Sequence, residues 1–364
     1  MNKKSFPKWF MVLLVGLLSL TPLFSVKAAY NTQYYFPWKN GVVANLTQLP
    51  SASGHINMID FVIGGTSLGV TQRQQQDVVA TKDGIIMFAR DDSTTSCNLQ
   101  YNQRCDDSAN LVVIKHLGNP VTYSWYWHLH TGSIPSTFKK VGTPIRHGEV
   151  IGKQGKTGTI STTSGNGVHL HFFVSKGYKS PTTGKRLPSA SELITVSFIN
   201  DNKTYSYSSL AIQQYKSANT PNRNAAIKSA ANDYMLTLKD GRNTNATLVE
   251  MLAQTITNGS QKWKITSYSP SLFTISSSLL TSQSRSLCLD VTNGNTSLPL
   301  QVWECSNSRQ TWQLIPVADG IYQILNPTYG RCLAISNLQN RSAVIVKGCQ
   351  SGDNLQRWKL IELP

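Results

Sequence analysis

Acidic residues are scarce in this sequence: 18 stand against 34 lysines and arginines, for a formal net charge of +16. None precedes Ala28, whereas Lys3, Lys4, Lys8 and Lys27 do. That balance argues against acidic partners and for anionic polymers or surfaces. Nucleic acid is not among them, because the basic residues are scattered and no recognition helix or aromatic RNA-binding signature occurs. Helical periodicity is nearly absent as well, so an all-β protein is expected. No Cys-x-x-Cys occurs, which argues against a cysteine-held zinc. Beyond Ala29 no apolar run is long enough to cross a membrane, so no membrane partner is expected once the leader is gone.

The leader is Met1 to Ala29. Three lysines precede the apolar run Trp9 to Leu18, and small residues close it at Val26-Lys27-Ala28-Ala29. This is the pattern of a cleaved secretory signal. The run is short for a span and is broken by Ser19, Thr21 and Pro22. An exported chain with six cysteines, an even number, suggests disulfides. Cys288 and Cys305 are 17 apart, and so are Cys332 and Cys349. The repeat points to two local bridges in two related units, leaving Cys97 and Cys105 as a third pair. At 364 residues the chain has room for two domains, each with its own core.

Residues 30–212 are rich in Gly, Thr, Val and Ile, with turns at short intervals, and read as antiparallel β-structure. Asp77 to Phe88 reads as two strands about a Lys-Asp-Gly turn, and Leu111 to Leu129 as a hairpin turned at Gly118-Asn119-Pro120. The Cys97–Cys105 loop reads as a surface insertion. The stretch Gly165 to Val174 places His169 and His171 on one face of a strand, with Leu170 and Phe172 facing a core. His55 and Asp60 near the start, His128 in the middle and the His169–His171 pair near the end can meet at one metal. Two His and one Asp would leave the fourth position of a zinc ion to water.

This ordered set resembles the lysostaphin and β-lytic type of zinc metalloendopeptidases, which cut peptide cross-links of bacterial cell walls. It runs from Phe36-Pro37-Trp38-Lys39-Asn40-Gly41 through Gly54-His55, Asp60-Phe61, Val79 to Gly84 and Tyr126-Trp127-His128-Leu129. It continues through Val141 to Ile145, Gly148 to Gly152 and Gly155 to Gly158, and ends at Val168-His169-Leu170-His171-Phe172, covering roughly residues 36–178. The resemblance implies Zn2+ held by His55, Asp60 and His171, with His128 and His169 as the catalytic histidines. It also implies peptidoglycan peptides as substrate and a secreted or periplasmic bacterial location. One departure is that four residues, not three, separate His55 from Asp60. An odd offset sends side chains to opposite faces of a regular strand, so a bulge or turn at Asn57 is required. His130 reads as a surface or substrate-side residue, and His116 and His147 as solvated.

Residues 213–232, rich in Ala, Asn, Ser and Thr, read as a linker with a short helix from Asn224 to Ala231. From 233 to 364 a weak repeat runs: Gln261-Lys262-Trp263, Gln310-Thr311-Trp312 and Gln356-Arg357-Trp358, spaced 49 and 46 apart. These units resemble the ricin-type β-trefoil lectins, which implies core tryptophans and one disulfide-closed loop in each of the last two units. The family's sugar site takes an Asp and, about a dozen residues on, an aromatic ring. Only the middle unit has both, Asp290 and Trp303, with Gln310 beside them. The first unit has Thr237 in place of the Asp. The third has Ala334, with Lys347 in place of the ring. Arg309 replaces the usual polar partner before Gln310. The expected architecture is an all-β pair: an antiparallel-sheet zinc peptidase domain, then a C-terminal β-trefoil. The expected function is a secreted zinc endopeptidase on peptidoglycan cross-links, targeted by a glycan-binding trefoil. The alternatives are a secreted glycan-binding protein with an inactive peptidase fold, and an endopeptidase acting on other proteins.

Overall fold

The structure is a computed structural model that describes residues 33–52, 55–160, 167–181, 188–200, 203–253, 259–281, 283–306 and 308–363. The leader expected over Met1 to Ala29 lies outside these. Among the described residues the one α-helix is the four-residue Val70–Arg73, and the protein is all-β. No described helix is long and apolar enough to cross a membrane.

Alternating β-branched and aromatic residues of the first half build an eight-stranded sheet. Its order is Gln214–Lys216, Val43–Gln48, Met58–Ile63, Leu170–Ser175, Thr122–Trp127, Leu111–His116, Gly84–Arg90 and Pro144–Ile145, with every pair antiparallel. One face carries Phe61, Tyr126, Leu170 and Phe172 into a large core. The other carries Trp125, Trp127 and Phe173 into a smaller cluster. Asp60 and His171 sit opposite each other in register on that second face. Such directly paired side chains stand about 5 Å apart, close enough to share a ligand.

The Leu111–His116 and Thr122–Trp127 strands form the expected hairpin. Asp77–Val79 and Gly84–Arg90 are both strands but do not pair with each other. The first pairs with Val150–Lys153, the second with Leu111–His116 and Pro144–Ile145. The turn between them instead points Asp83 into the junction with the second half.

In the second half, Trp263, Trp312 and Trp358 are fully buried. Each donates its indole N–H to a carbonyl one strand away, that of Leu236 (2.8 Å), Leu289 (3.1 Å) and Leu333 (3.0 Å) respectively. That three-fold equivalence aligns the units: Thr237, Asp290 and Ala334 follow those leucines. Gln261, Gln310 and Gln356 are buried and donate to the carbonyls of Ala253, Glu304 and Gly348. Disulfides join Cys97–Cys105, Cys288–Cys305 and Cys332–Cys349.

The expected linker over 213–232 is corrected. Gln214–Lys216 adds to the edge of the first sheet, and where a helix was expected from Asn224 to Ala231 the strand Arg223–Ser229 pairs with Trp358–Leu363 and Trp263–Ser269. Ala225, Ala226 and Ile227 are buried in succession, as in a strand paired on both edges, and the tertiary pairing overrides alanine's helix preference. Between the strands, Asn219 is buried and donates to the carbonyls of Phe36 (2.8 Å) and Ala80 (2.9 Å).

The two halves meet over buried polar groups. The Tyr322 hydroxyl donates to Asp83 (2.6 Å), the Ser271 amide donates to Glu149 (2.6 Å), and the Arg146 guanidinium lies 5.2 Å from the Phe273 ring centre. Burial disfavours the Asp83 charge, but the Arg146 and Arg223 guanidinium groups outweigh it and hold that carboxyl well below its usual range. Burial pushes the Glu149 carboxyl up to about 7. His116 and His147, expected to be solvated, are buried. Burial pushes both imidazoles down to about 3, so they bridge as neutral rings. His116 links the Asp83 carbonyl (2.9 Å) to the Ser124 hydroxyl (2.8 Å), and His147 faces Asn219 (2.8 Å).

Candidate functional site

Asp60 comes from Met58–Ile63 and His171 from the neighbouring Leu170–Ser175. His171 Nδ1 lies 2.7 Å from Asp60 Oδ1, and His55 Nε2 lies 3.3 Å from Asp60 Oδ2. The odd offset between His55 and Asp60 is absorbed at Asn57, which takes a left-handed φ of 58°. Asn tolerates that conformation better than most residues. The amides of Asn57 and Met58 then donate to the carbonyls of Pro50 (2.7 Å) and His55 (2.9 Å), closing the turn.

His128 follows the Thr122–Trp127 strand and takes a left-handed φ of 64°, uncommon for a non-glycine residue. The imidazole ring of His128 lies 4.6 Å from that of His169 and 5.8 Å from that of His171. Its Nδ1–H donates to the Thr157 carbonyl (2.7 Å), and the Nδ1–H of His169 donates to the Gly167 carbonyl (3.0 Å). Both bonds place a hydrogen on Nδ1 and turn each Nε2 away from the backbone. The His169 Nε2 lies 3.8 Å from Asp60. Burial pushes the His128 imidazole well below its ordinary value, so it is neutral near pH 7. Burial opposes the Asp60 charge, but the facing His169 and His171 hold that carboxyl well below the usual range.

Two overlapping groups could hold a metal: His55, Asp60 and His171, and His128, His169 and His171, with ligand atoms inside each group within 4.8 Å of one another. Three tetrahedral donors at zinc-ligand distance stand about 3.4 Å apart. The 2.7 Å and 3.3 Å separations run to the two different oxygens of Asp60, so one carboxylate faces both imidazoles across a space an ion could share. The first group, two imidazoles and a carboxylate, is also the donor set of open zinc sites. A ligand His55 would carry its hydrogen on Nδ1, which lies 2.9 Å from the Gln48 amide. That amide must then present its oxygen. Sequence reading missed Gln48 and Thr157, because neither has a signature beyond being polar.

Residues 64–183 match the model of peptidase family M23, and residues 223–358 match that of the ricin-type beta-trefoil lectin domain. The chain joins an M23 peptidase domain to a ricin-type trefoil. The M23 match begins after His55 and Asp60, which the fold nonetheless brings to the matched histidines. No curated protein matches the chain. Similar solved structures include the designed three-fold symmetric protein ThreeFoil, 19% identical over 38% of this chain and 99% of that one, with a TM-score of 0.35. SeviL bound to asialo-GM1 saccharide is 17% identical over 39% and 98%, at 0.30. The earthworm R-type lectin C-half in complex with GalNAc is 14% identical over 39% and 99%, at 0.27.

In the middle trefoil unit Asp290 is paired in register with Gln301, whose amide donates to its carboxylate at 3.0 Å. Burial raises the Asp290 carboxyl, and hydrogen bonds from Gln301 and Gln310 oppose this. Trp303 is 41% exposed. Gln310 is only 1% exposed. It braces Asp290 and the strand carbonyls instead of facing solvent, as its equivalents do in units with no Asp. Gln301 was not singled out from the sequence, because only register places it beside Asp290. Across the register, Glu250 stands opposite Thr237 and Ile345 opposite Ala334. The acid–amide pair therefore occurs in the middle unit alone.

Proposed function

We propose that the protein is a secreted zinc metalloendopeptidase that cleaves peptide cross-links of bacterial peptidoglycan, with the middle trefoil unit holding glycan. The observation that carries this reading is the convergence of His55, Asp60 and His171 with two further histidines, His128 and His169, whose Nδ1 atoms are held by backbone carbonyls. A zinc ion on the three donors would supply a polarised water and a Lewis acid for the scissile carbonyl. His128 Nε2, neutral near pH 7, takes the proton of the attacking water as general base. Once protonated, it can return that proton to the leaving amine. His169, its ring held by the Gly167 carbonyl, stabilises the oxyanion through Nε2 once that nitrogen carries a proton. Asp60 stays ionised and orients His55 and His171 toward a common point.

Action outside the cytoplasm is supported by the leader and by a chain with no free cysteine among the described residues. The Asp290–Gln301 pair beside the exposed Trp303 supports a weak sugar site, the acid accepting hydroxyl hydrogens and the ring stacking on an apolar sugar face. The deciding experiment incubates purified, zinc-loaded protein with cell-wall muropeptides, with and without a chelator, and identifies products by mass spectrometry. Chelator-sensitive loss of cross-linked dimers with gain of monomers is expected. Unchanged dimers in every condition would overturn the proposal.

A further inference from the structure

The insertion closed by Cys97–Cys105 is attached to the segment that orients the two catalytic histidines. Ser96–Asn98 pairs in parallel with Gly158–Ile160, in the register Ser96 with Gly158, Cys97 with Thr159 and Asn98 with Ile160. The Gly158 amide donates to the Thr95 carbonyl (2.8 Å), and the Cys105 amide donates to Thr159 Oγ1 (2.7 Å). At the far end of the insertion the Asn110 amide donates to Thr157 Oγ1 (2.9 Å), which in turn donates to the Leu129 carbonyl (3.0 Å). The insertion therefore grips residues 157–160 at both of its ends.

That short segment bears on both histidine tautomers. The Thr157 carbonyl is the acceptor for His128 Nδ1–H. Ile160 packs so closely on Gly167 that a Cβ there would meet its side chain at 2.3 Å. The Gly167 carbonyl is the acceptor for His169 Nδ1–H. Three-residue strands hold few ladder bonds, so Gly158–Ile160 has little intrinsic stability of its own. A covalent loop on its neighbour supplies the rigidity that a tautomer-setting acceptor needs.

We infer that the disulfide-closed insertion is a positioning element for catalysis: through Thr159 and the paired strand it holds the Thr157 and Gly167 carbonyls on the Nδ1 atoms of His128 and His169. The inference rests on the proposed peptidase function. Thr159 and the Cys97–Cys105 bridge are positioning residues, and neither touches substrate.

The test uses the full zinc-loaded chain. In protein carrying ¹⁵N-histidine, the His128 signal is assigned by its disappearance in His128→Ala. Wild type should show a single Nδ1–H tautomer at His128. Thr159→Val, which removes the acceptor for the Cys105 amide, should mix the tautomers. It should also lower kcat on a small cell-wall peptide roughly ten-fold with KM and zinc content unchanged. Thr159→Ser, which restores an acceptor, should recover both readouts. The double variant Cys97→Ser/Cys105→Ser should act like Thr159→Val. If it fails to fold, the Thr159 pair decides alone. An unchanged tautomer and kcat in Thr159→Val would overturn the inference. If wild type itself turns over no peptide, the peptidase reading fails, and the tautomer comparison still decides whether the insertion positions His128.

Discussion

The M23 half and the trefoil treat their ligand-facing residues in opposite ways. In the first, His55, Asp60, His128, His169 and His171 arrive from separate segments and meet at one point. In the second, three units repeat the same buried tryptophan on the same strand carbonyl, yet the residue after that carbonyl reads Thr237, Asp290 and Ala334 in turn. A metal centre works only when every donor is present together. A repeat can be kept for packing alone, each unit completing the next one's core, with one binding pocket among three.

The largest effect is expected at His171, which belongs to both groups of metal-capable residues. His171→Ala should lose zinc by elemental analysis and peptide turnover with it, because two donors hold zinc poorly. Asp60→Ala then separates the groups: loss of zinc places the ion with His55 and His171, and retention places it with His128 and His169. His128→Ala should keep zinc while kcat falls by roughly 10²–10⁴, the range for removing a general base.

Next comes packing. Trp312→Ala removes a fully buried indole and its bond to the Leu289 carbonyl. Destabilisation of about 3–5 kcal/mol is expected by denaturant titration. Zinc content should be unchanged if the M23 half keeps its fold. The buried contacts between the halves sharpen this: loss of zinc in Trp312→Ala would mean that the halves unfold as one unit.

Those contacts mark the limit of what could be read from the chain. The His169–His171 pair was legible because a strand repeats every two residues, and the turn at Asn57 because an odd offset demanded one. The tryptophan repeat was legible for the same reason, a fixed period. The strand Arg223–Ser229 was not, since its alanines favour helix and only its partners Trp358–Leu363 and Trp263–Ser269 settle the matter. Nor was the burial of His116 and His147, each held by groups distant in sequence. Tyr322 meets Asp83 across a separation of 239 residues, with no local pattern to announce it.

The junction offers a pH test of intermediate size. The Glu149 carboxyl sits at about 7 when folded, raised by burial, against an unfolded value near 4.5. A raised acid favours the folded state while protonated, so its contribution is fully present below about 4.5 and is lost as pH rises through 7. Relative to Glu149→Gln, wild type should lose up to about 3 kcal/mol of stability between those limits. Thermal melts of both proteins across pH 4 to 8 check this. Parallel curves would show that the Ser271 amide and Arg146 already stabilise the charge in full.

The smallest effect belongs to the glycan pocket, and there the fixed junction changes the argument. Only the middle unit offers a carboxylate, its bracing amide and an exposed indole. A single pocket of that kind is weak, and its value comes from raising the local concentration of substrate on a polymer. With one strand ending at Lys216 and the next beginning at Arg223, the proposed glycan pocket stands at a set orientation to the M23 half. Asp290→Ala should therefore weaken retention on intact cell walls by roughly ten-fold, the range of one lost hydrogen-bonded charge. Turnover of a small soluble peptide should stay unchanged, because that substrate never engages the trefoil. Turnover of intact wall should fall with retention. A pull-down on purified walls, run beside both cleavage assays, reads all of this. Equal retention by Asp290→Ala and wild type would reduce the trefoil to a packing partner. A parallel fall in soluble-peptide turnover would instead mean that the two halves are coupled through their shared interface.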